Sequence, residues 1–139
     1  MEDANALAGL MILVVDDDAS IRSLLSLTLQ RLKCTTVEAE NGTQATQLFR
    51  AAPAFFHLVI CDWNMPDLSG IAIYQQFRAA RPKLPFLLLT ARGDLGSVKT
   101  AMRHGISSYI VKPFVAEDLR AKIICAMRKS TIKGELSHQ

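Results

Sequence analysis

Asp16 and Asp17 follow the apolar run 12–15, Asp62 follows 58–61, Thr90 follows 86–89, and Lys112 follows 108–111. If these runs are parallel strands, their carboxyl ends share one edge, and residues far apart in the chain converge on one crevice. Asp16, Asp17 and Asp62 gathered there repel one another unless a cation neutralises them, and an all-oxygen donor set suits a hard ion such as Mg²⁺. Magnesium keeps several waters and takes few protein ligands, which leaves positions for the oxygens of a phosphoryl group. The ion and Lys112 would offset charge on that group while one carboxylate attacks phosphorus and becomes an acyl phosphate, with Asp62 the best candidate for attack. Each residue alone has a plainer use. An Asp at a strand end serves as a turn residue or helix cap, a Thr satisfies a nearby backbone group, and a Lys is a surface charge. Convergence of all these positions on one chemistry outweighs the separate readings.

The elements that would position them are legible in the periodicity. Short apolar runs at 12–16, 35–38, 58–62, 86–90 and 108–111 alternate with segments whose apolar residues recur every three or four positions, which predicts five βα units. Several runs are continuously apolar, as strands buried on both faces are. Ile21, Leu24, Leu25, Thr28, Leu29 and Leu32 mark one face of a first helix, and Ala45, Leu48 and Phe49 part of a second. Asp18 or Ser20 caps the first helix, Asn41-Gly42 opens the second, and Arg81-Pro82 stops the third after 71–80. A fourth helix is expected near 96–104, with Gly105 at its left-handed C-terminal cap. The fifth carries Leu119, Ile123 and Met127 on one face. Right-handed crossovers put helices on both sides of the sheet, giving an α/β, doubly wound, three-layer (βα)5 sandwich around a five-stranded parallel sheet, flavodoxin-like in class.

A chain of 139 residues, 50% apolar and 21% charged, reads as one globular domain. It can bury roughly two-thirds of its unfolded surface without disulfides or structural metal. Cys34, Cys61 and Cys125 are odd in number and sit in apolar stretches, so reduced thiols and a cytoplasmic location are expected. The acidic start carries no secretory pattern, and every apolar run falls far short of the ~20 residues that cross a bilayer. A net charge of +3 does not suggest a nucleic-acid partner. Residues 1–10 and 130–139 are weakly patterned, either frayed or extending a helix, and they leave no room for an output domain.

Val14-Val-Asp-Asp17, Cys61-Asp-Trp-Asn-Met-Pro66 with Gly70, Leu89-Thr-Ala91 and Tyr109-Ile-Val-Lys-Pro-Phe114 together resemble the receiver domain of response regulators, especially the CheY-like single-domain regulators of chemotaxis. The resemblance spans about 11–127 and implies an N-terminal extension 1–10, a receiver domain 11–129 and a C-terminal tail 130–139. It implies that Asp62 accepts phosphate from a histidine kinase, that Asp17 binds Mg²⁺ directly and Asp16 largely through water, and that Asn64 supplies its backbone carbonyl. Lys112 would contact the phosphoryl oxygens, Thr90 would swing toward them, Tyr109 would change rotamer, and the Lys112–Pro113 bond would be cis, aiming Lys112 into the crevice. Asn64 and Arg92 stand where side chains tune the lifetime of the acyl phosphate. Downstream targets would bind the face built by the fourth helix, fifth strand and fifth helix, made basic by Lys99, Arg103, Lys122 and Arg128 or merely solvated there. Trp63 reads as a rigid rim residue. Such a protein catalyses only its own phosphorylation and dephosphorylation, acts as a monomer, and meets a phosphatase or a histidine phosphotransfer protein among its possible partners.

Other functions fit less well. A haloacid-dehalogenase-type phosphatase would use Asp16-x-Asp18 with Asp16 as nucleophile, but then Asp62 has no role and the later acidic pair falls to Glu117 and Asp118 in a helical pattern. A flavodoxin-like cofactor domain needs a phosphate-cradling loop after the first strand, where this chain has Asp-Asp-Asp-Ala-Ser. His57, His104 and His138 suit ordinary surface roles better than a kinase's. Within the receiver reading, a relay that passes phosphate to a phosphotransfer protein remains the alternative to direct target binding.

Overall fold

The computed structural model describes residues 6–103, 105, 106 and 108–137, the last eight by backbone alone. The elements are β1 Met11–Val15, α1 Ala19–Arg31, β2 Thr35–Ala39, α2 Gly42–Ala51, β3 Leu58–Asp62, α3 Gly70–Ala80, β4 Phe86–Thr90, a 3₁₀ turn Arg92–Asp94, α4 Leu95–Met102, β5 Ser108–Val111 and α5 Ala116–Ser137. All strand pairs are parallel, in the order β2-β1-β3-β4-β5. This is the doubly wound (βα)5 sandwich expected from the periodicity.

β3 and β4 are buried at every position, which is why they read as unbroken apolar runs rather than alternating ones. Alternation along β1 assigns its side chains to two cores. Ile12 and Val14 meet Leu25 and Leu29 of α1 and Leu119 and Ile123 of α5. Leu13 and Val15 meet Phe49 of α2, Ile73 and Phe77 of α3, and Val98 of α4. Phe49 and Phe77 stack with ring centroids 4.0 Å apart, joining α2 to α3. Each fully buried Val, Leu, Ile or Phe contributes about 1.5–3 kcal/mol, so these layers fix the strand ends that carry the polar residues.

Several details differ from the sequence reading. Asp16 lies just past β1 rather than within it, β2 runs on to Ala39, and α4 ends at Met102; His104 lies outside the described residues. Leu24 is 48% exposed. At about 100° per residue it sits at the edge of the stripe centred on Ile21, Leu25, Thr28 and Leu32, and so misses the sheet. Cys34 and Cys61 are buried, but Cys125 is exposed because it falls off the Leu119–Ile123–Ala126 stripe of α5. Near the amino terminus, Leu7 is buried against the α1/α5 core; its carbonyl accepts from Cys34 Sγ, while Gly9 N–H donates to Lys33 O. At the other end, the helix continues through Ser137. Gly105 takes φ +97°, the left-handed geometry expected after α4.

Candidate functional site

From β1 the chain winds to β2 on one side and, through β2 and α2, to β3 on the other, so the topological switch point lies between β1 and β3. Register aligns Val15 with Cys61, and the next residues, Asp16 and Asp62, emerge side by side. The ladder persists beyond the strands: Trp63 N–H donates to Leu89 O at 2.8 Å and Lys112 N–H to Thr90 O at 2.8 Å. These bonds bring the ends of β3, β4 and β5 to one edge.

Asp16, Asp17 and Asp62 can each offer a carboxylate oxygen within 4.8 Å of the others. Asp17 is exposed, while Asp16 and Asp62 are buried. Asp16 Oδ1 accepts from Asp18 N–H at 2.9 Å, and its backbone carbonyl accepts from Arg22 Nη1 at 2.8 Å. Asp16 Oδ2 is buried with no hydrogen-bond partner, although Lys112 Nζ stands 3.2 Å away. Lys112 Nζ also donates to Asp62 Oδ1 at 3.0 Å. Desolvation pushes the Asp62 carboxyl above its ordinary value, the Asp16 charge adds to this, and Lys112 opposes both. Burial lowers the Lys112 ammonium's pKa, but Asp62 and Asp16 outweigh it and the net shift is upward, so Lys112 is a firm cation. The Lys112–Pro113 bond is cis, as expected.

The remaining predicted residues lie around this centre. Thr90 is buried, its hydroxyl donating to Ala91 O at 3.1 Å. Tyr109 is half-buried, with Lys122 Nζ 5.2 Å from its ring centroid. Tyr109, Arg92, Leu95, Asp118 and Lys122 line a cavity of about 640 Å³ between α4 and α5. Lys99, Arg103 and Arg128 are exposed on α4, its C-cap and α5, which flank the half-buried Tyr109 and Lys122. Trp63 is half-buried and lines a smaller groove with Ile71 and Thr100. Asn64 is exposed, and its Nδ2 donates to Asp94 Oδ2 at 3.1 Å.

Two residues of this region escaped the sequence reading. Asp94 is one; Asp67 is the other, its carboxylate accepting from Gly42 and Thr43 N–H, Thr43 Oγ1 and Leu68 N–H. No local pattern marks Asp67, because the amides it gathers include those of a helix start 25 residues upstream. Asp18, by contrast, has the cap role foreseen for it: its Oδ1 accepts from Ser20 and Ile21 N–H. That occupies one half of the Asp16-x-Asp18 motif a phosphatase would need. His57 Nδ1 accepts from Met11 N–H at 2.9 Å, a structural role; His104 and His138 lie outside the described residues. Among the described residues no helix is long and apolar enough to cross a membrane.

The chain is 36% identical over 115 residues to the chemotaxis protein CheY1 of Helicobacter pylori, covering 81% of this chain and 92% of that one. A response regulator receiver domain protein from Clostridium thermocellum superposes with a TM-score of 0.83 at 29% identity, covering 88% of this chain and 98% of the other. The chemotaxis protein CheY4 of Vibrio cholerae does so at 0.75 and 30%, covering 84% and 97%. The family model described as the response regulator receiver domain matches residues 12–124. The carboxylate cluster, the lysine that bridges it and the fold that joins them thus belong to a member of the response regulator receiver domain family, a phosphorylation-activated regulator of two-component signalling.

Proposed function

We propose that Asp62 is the residue phosphorylated and that Asp16, Asp17, Lys112 and Thr90 serve it. The observation that carries this reading is Lys112 Nζ held between Asp62 Oδ1 and Asp16 Oδ2 at the switch point, where an acceptor carboxylate, a cation and a second buried carboxylate meet. An Asp62 oxygen bonds phosphorus as the donor's phosphorus–nitrogen bond breaks, the donor being the phosphohistidine of a histidine kinase. Asp16, Asp17 and Asp62, with the Asn64 backbone carbonyl, would hold Mg²⁺; three carboxylates within 4.8 Å of one another, an all-oxygen donor set facing one partly buried lysine, fit such an ion. When bound, it supplies positive charge that offsets the phosphoryl oxygens. Lys112 supplies the rest from the protein itself.

Phosphorylation adds about two negative charges at the end of β3. The Thr90 hydroxyl exchanges its bond to Ala91 O for a phosphoryl oxygen, and Tyr109 moves into the space this leaves. Because Tyr109 lines the α4–α5 groove beside Lys122, its movement alters the face on which a downstream protein docks. Asn64 and Arg92 set how long the acyl phosphate lasts. The receiver domain spans 11–129 between an amino-terminal extension and a carboxyl-terminal tail. The protein acts in the cytoplasm as a monomer, catalyses only its own phosphorylation and dephosphorylation, and serves a chemotaxis pathway like that in the names of its relatives.

The test is intact mass and Trp63 fluorescence after addition of a small phosphodonor, with and without Mg²⁺, on native protein and Asp62→Ala. One Mg²⁺-dependent phosphoryl adduct, absent from Asp62→Ala, is expected. An adduct that survives this substitution, or donor hydrolysis lost only in Asp16→Ala, would overturn the assignment.

A further inference from the structure

Asp94 stands at the N-cap of α4, yet its side chain makes no capping hydrogen bond. Asp18, Asn41 and Ser69 at the corresponding positions of α1, α2 and α3 each accept from amides of their own helix. The Asp94 carboxylate instead accepts from Asn64 Nδ2 at 3.1 Å. An ionised carboxylate has no proton to donate, so the amide must face it with nitrogen, and the orientation of Asn64 is chemically determined. The bond joins the loop two residues beyond Asp62 to the segment four residues beyond Thr90, spanning the mouth of the crevice. It engages one of the two Nδ2 hydrogens and sets the amide plane, leaving the second N–H and Oδ1 to bind water.

The geometry points to Asp94 as a positioning residue for hydrolysis of the acyl phosphate, acting through Asn64; this rests on Asp62 being the acceptor. In that reaction a water oxygen bonds phosphorus while the bond between Asp62 Oδ and phosphorus breaks. Both water hydrogens leave on inorganic phosphate, and Asp62 returns as a carboxylate. An amide already fixed at the rim orders the attacking water without first losing its own rotamer freedom, which is the general advantage of preorganisation. Asp94 has a negative charge as well as an acceptor, and the two contributions can be separated by substitution.

Native protein, Asp94→Ala, Asp94→Asn, Asn64→Ala and the double alanine variant are phosphorylated with acetyl phosphate and Mg²⁺ and freed of donor. Decay of the adduct is then followed by intact mass, and Mg²⁺ affinity is read from Trp63 fluorescence. Asp94→Ala is expected to slow decay about three- to tenfold, the range for releasing one immobilised side chain. Asp94→Asn, which keeps an oxygen acceptor, should decay close to the native rate. Adding Asp94→Ala to Asn64→Ala should change nothing further, and Mg²⁺ affinity should stay native in the two single Asp94 variants. Native decay in Asp94→Ala, equal slowing in Asp94→Asn, or additive effects in the double variant would each overturn the role. So would a shift in Mg²⁺ affinity large enough to account for the slowing. Absence of an adduct on native protein, or its survival in Asp62→Ala, would overturn the acceptor assignment and this role with it.

Discussion

Around β1 and β3 every helix start is fastened by a side chain, whereas the α4 start across the crevice is not. Asp18 accepts from Ser20 and Ile21, Ser69 from Ala72, and Asn41 from Gln44, whose own amide oxygen accepts in return from Glu40 N–H. At Gly70 the packing leaves no room for a side chain, but a Cβ at Gly93 or Gly96 would meet nothing within 4 Å. β3 is buried at every position, while β5, at the edge of the sheet, alternates between buried and half-buried. The contrast fits the proposed chemistry: if Asp62 is to meet phosphorus in one geometry it needs a rigid frame, and a segment that answers its change of charge needs room to move.

The largest effect should come from filling the tight side. In Gly70→Ala the new Cβ would lie 2.6 Å from the carbonyl oxygen of Asp62 and 3.2 Å from Trp63 Cα, both backbone atoms that can yield only by moving the acceptor strand. Overpacking of this kind costs about 1–3 kcal/mol. Urea unfolding should show that loss, and adduct formation with a small phosphodonor should slow, because the displaced carbonyl belongs to Asp62. Native stability in Gly70→Ala would mean that the two sides of the crevice do not differ in rigidity.

Asp67 gives a smaller effect with a pH signature. Desolvation would raise its carboxyl, but hydrogen bonds from Gly42, Thr43 and Leu68 outweigh this and bring it down from 3.8 to about 2. A folded value below the unfolded one means that the carboxylate contributes stability above the unfolded value and loses it as pH falls toward the folded value. Asp67→Ala should therefore lower the midpoint of thermal unfolding at neutral pH, by the equivalent of about 1 kcal/mol for a helix-start anchor. The gap from native protein should close between about pH 4 and pH 2. A gap that persisted unchanged through that window would assign the effect to packing rather than to the carboxylate.

What sequence could reveal follows from how far each interaction reaches. Asp16, Asp62, Thr90 and Lys112 were legible because a parallel sheet sends every strand's carboxyl end to the same edge, whatever the separation in sequence. Asn64–Asp94 and Asp67–Gly42 were not, since each joins the loop after β3 to the start of a helix elsewhere in the chain, and their approach depends on how that helix is seated. Leu7 was missed for a different reason: a segment as short as 1–10, with its apolar residues mostly small alanines, shows no clear period, and only the folded chain shows Leu7 packed in the core beside Cys34. Leu24 failed by angle, lying at the edge of a stripe whose centre was read correctly. The capping residues Asp18 and Asn41 were readable because their partners lie within three residues.

The smallest effect should have the opposite sign. Gly96 lies in the first turn of α4 with a negative φ and open space where a Cβ would go. Alanine there narrows the freedom of the unfolded chain and favours helix, so Gly96→Ala should gain about 0.5 kcal/mol in urea unfolding. Because the added methyl touches nothing, adduct formation at Asp62 should be unchanged. The same substitution would then cost stability on one side of the crevice and add it on the other. A loss in Gly96→Ala would show the start of α4 to be as closely built as the turn at Gly70, and the freedom ascribed to the responding side would have to be sought in β5 and Tyr109 instead.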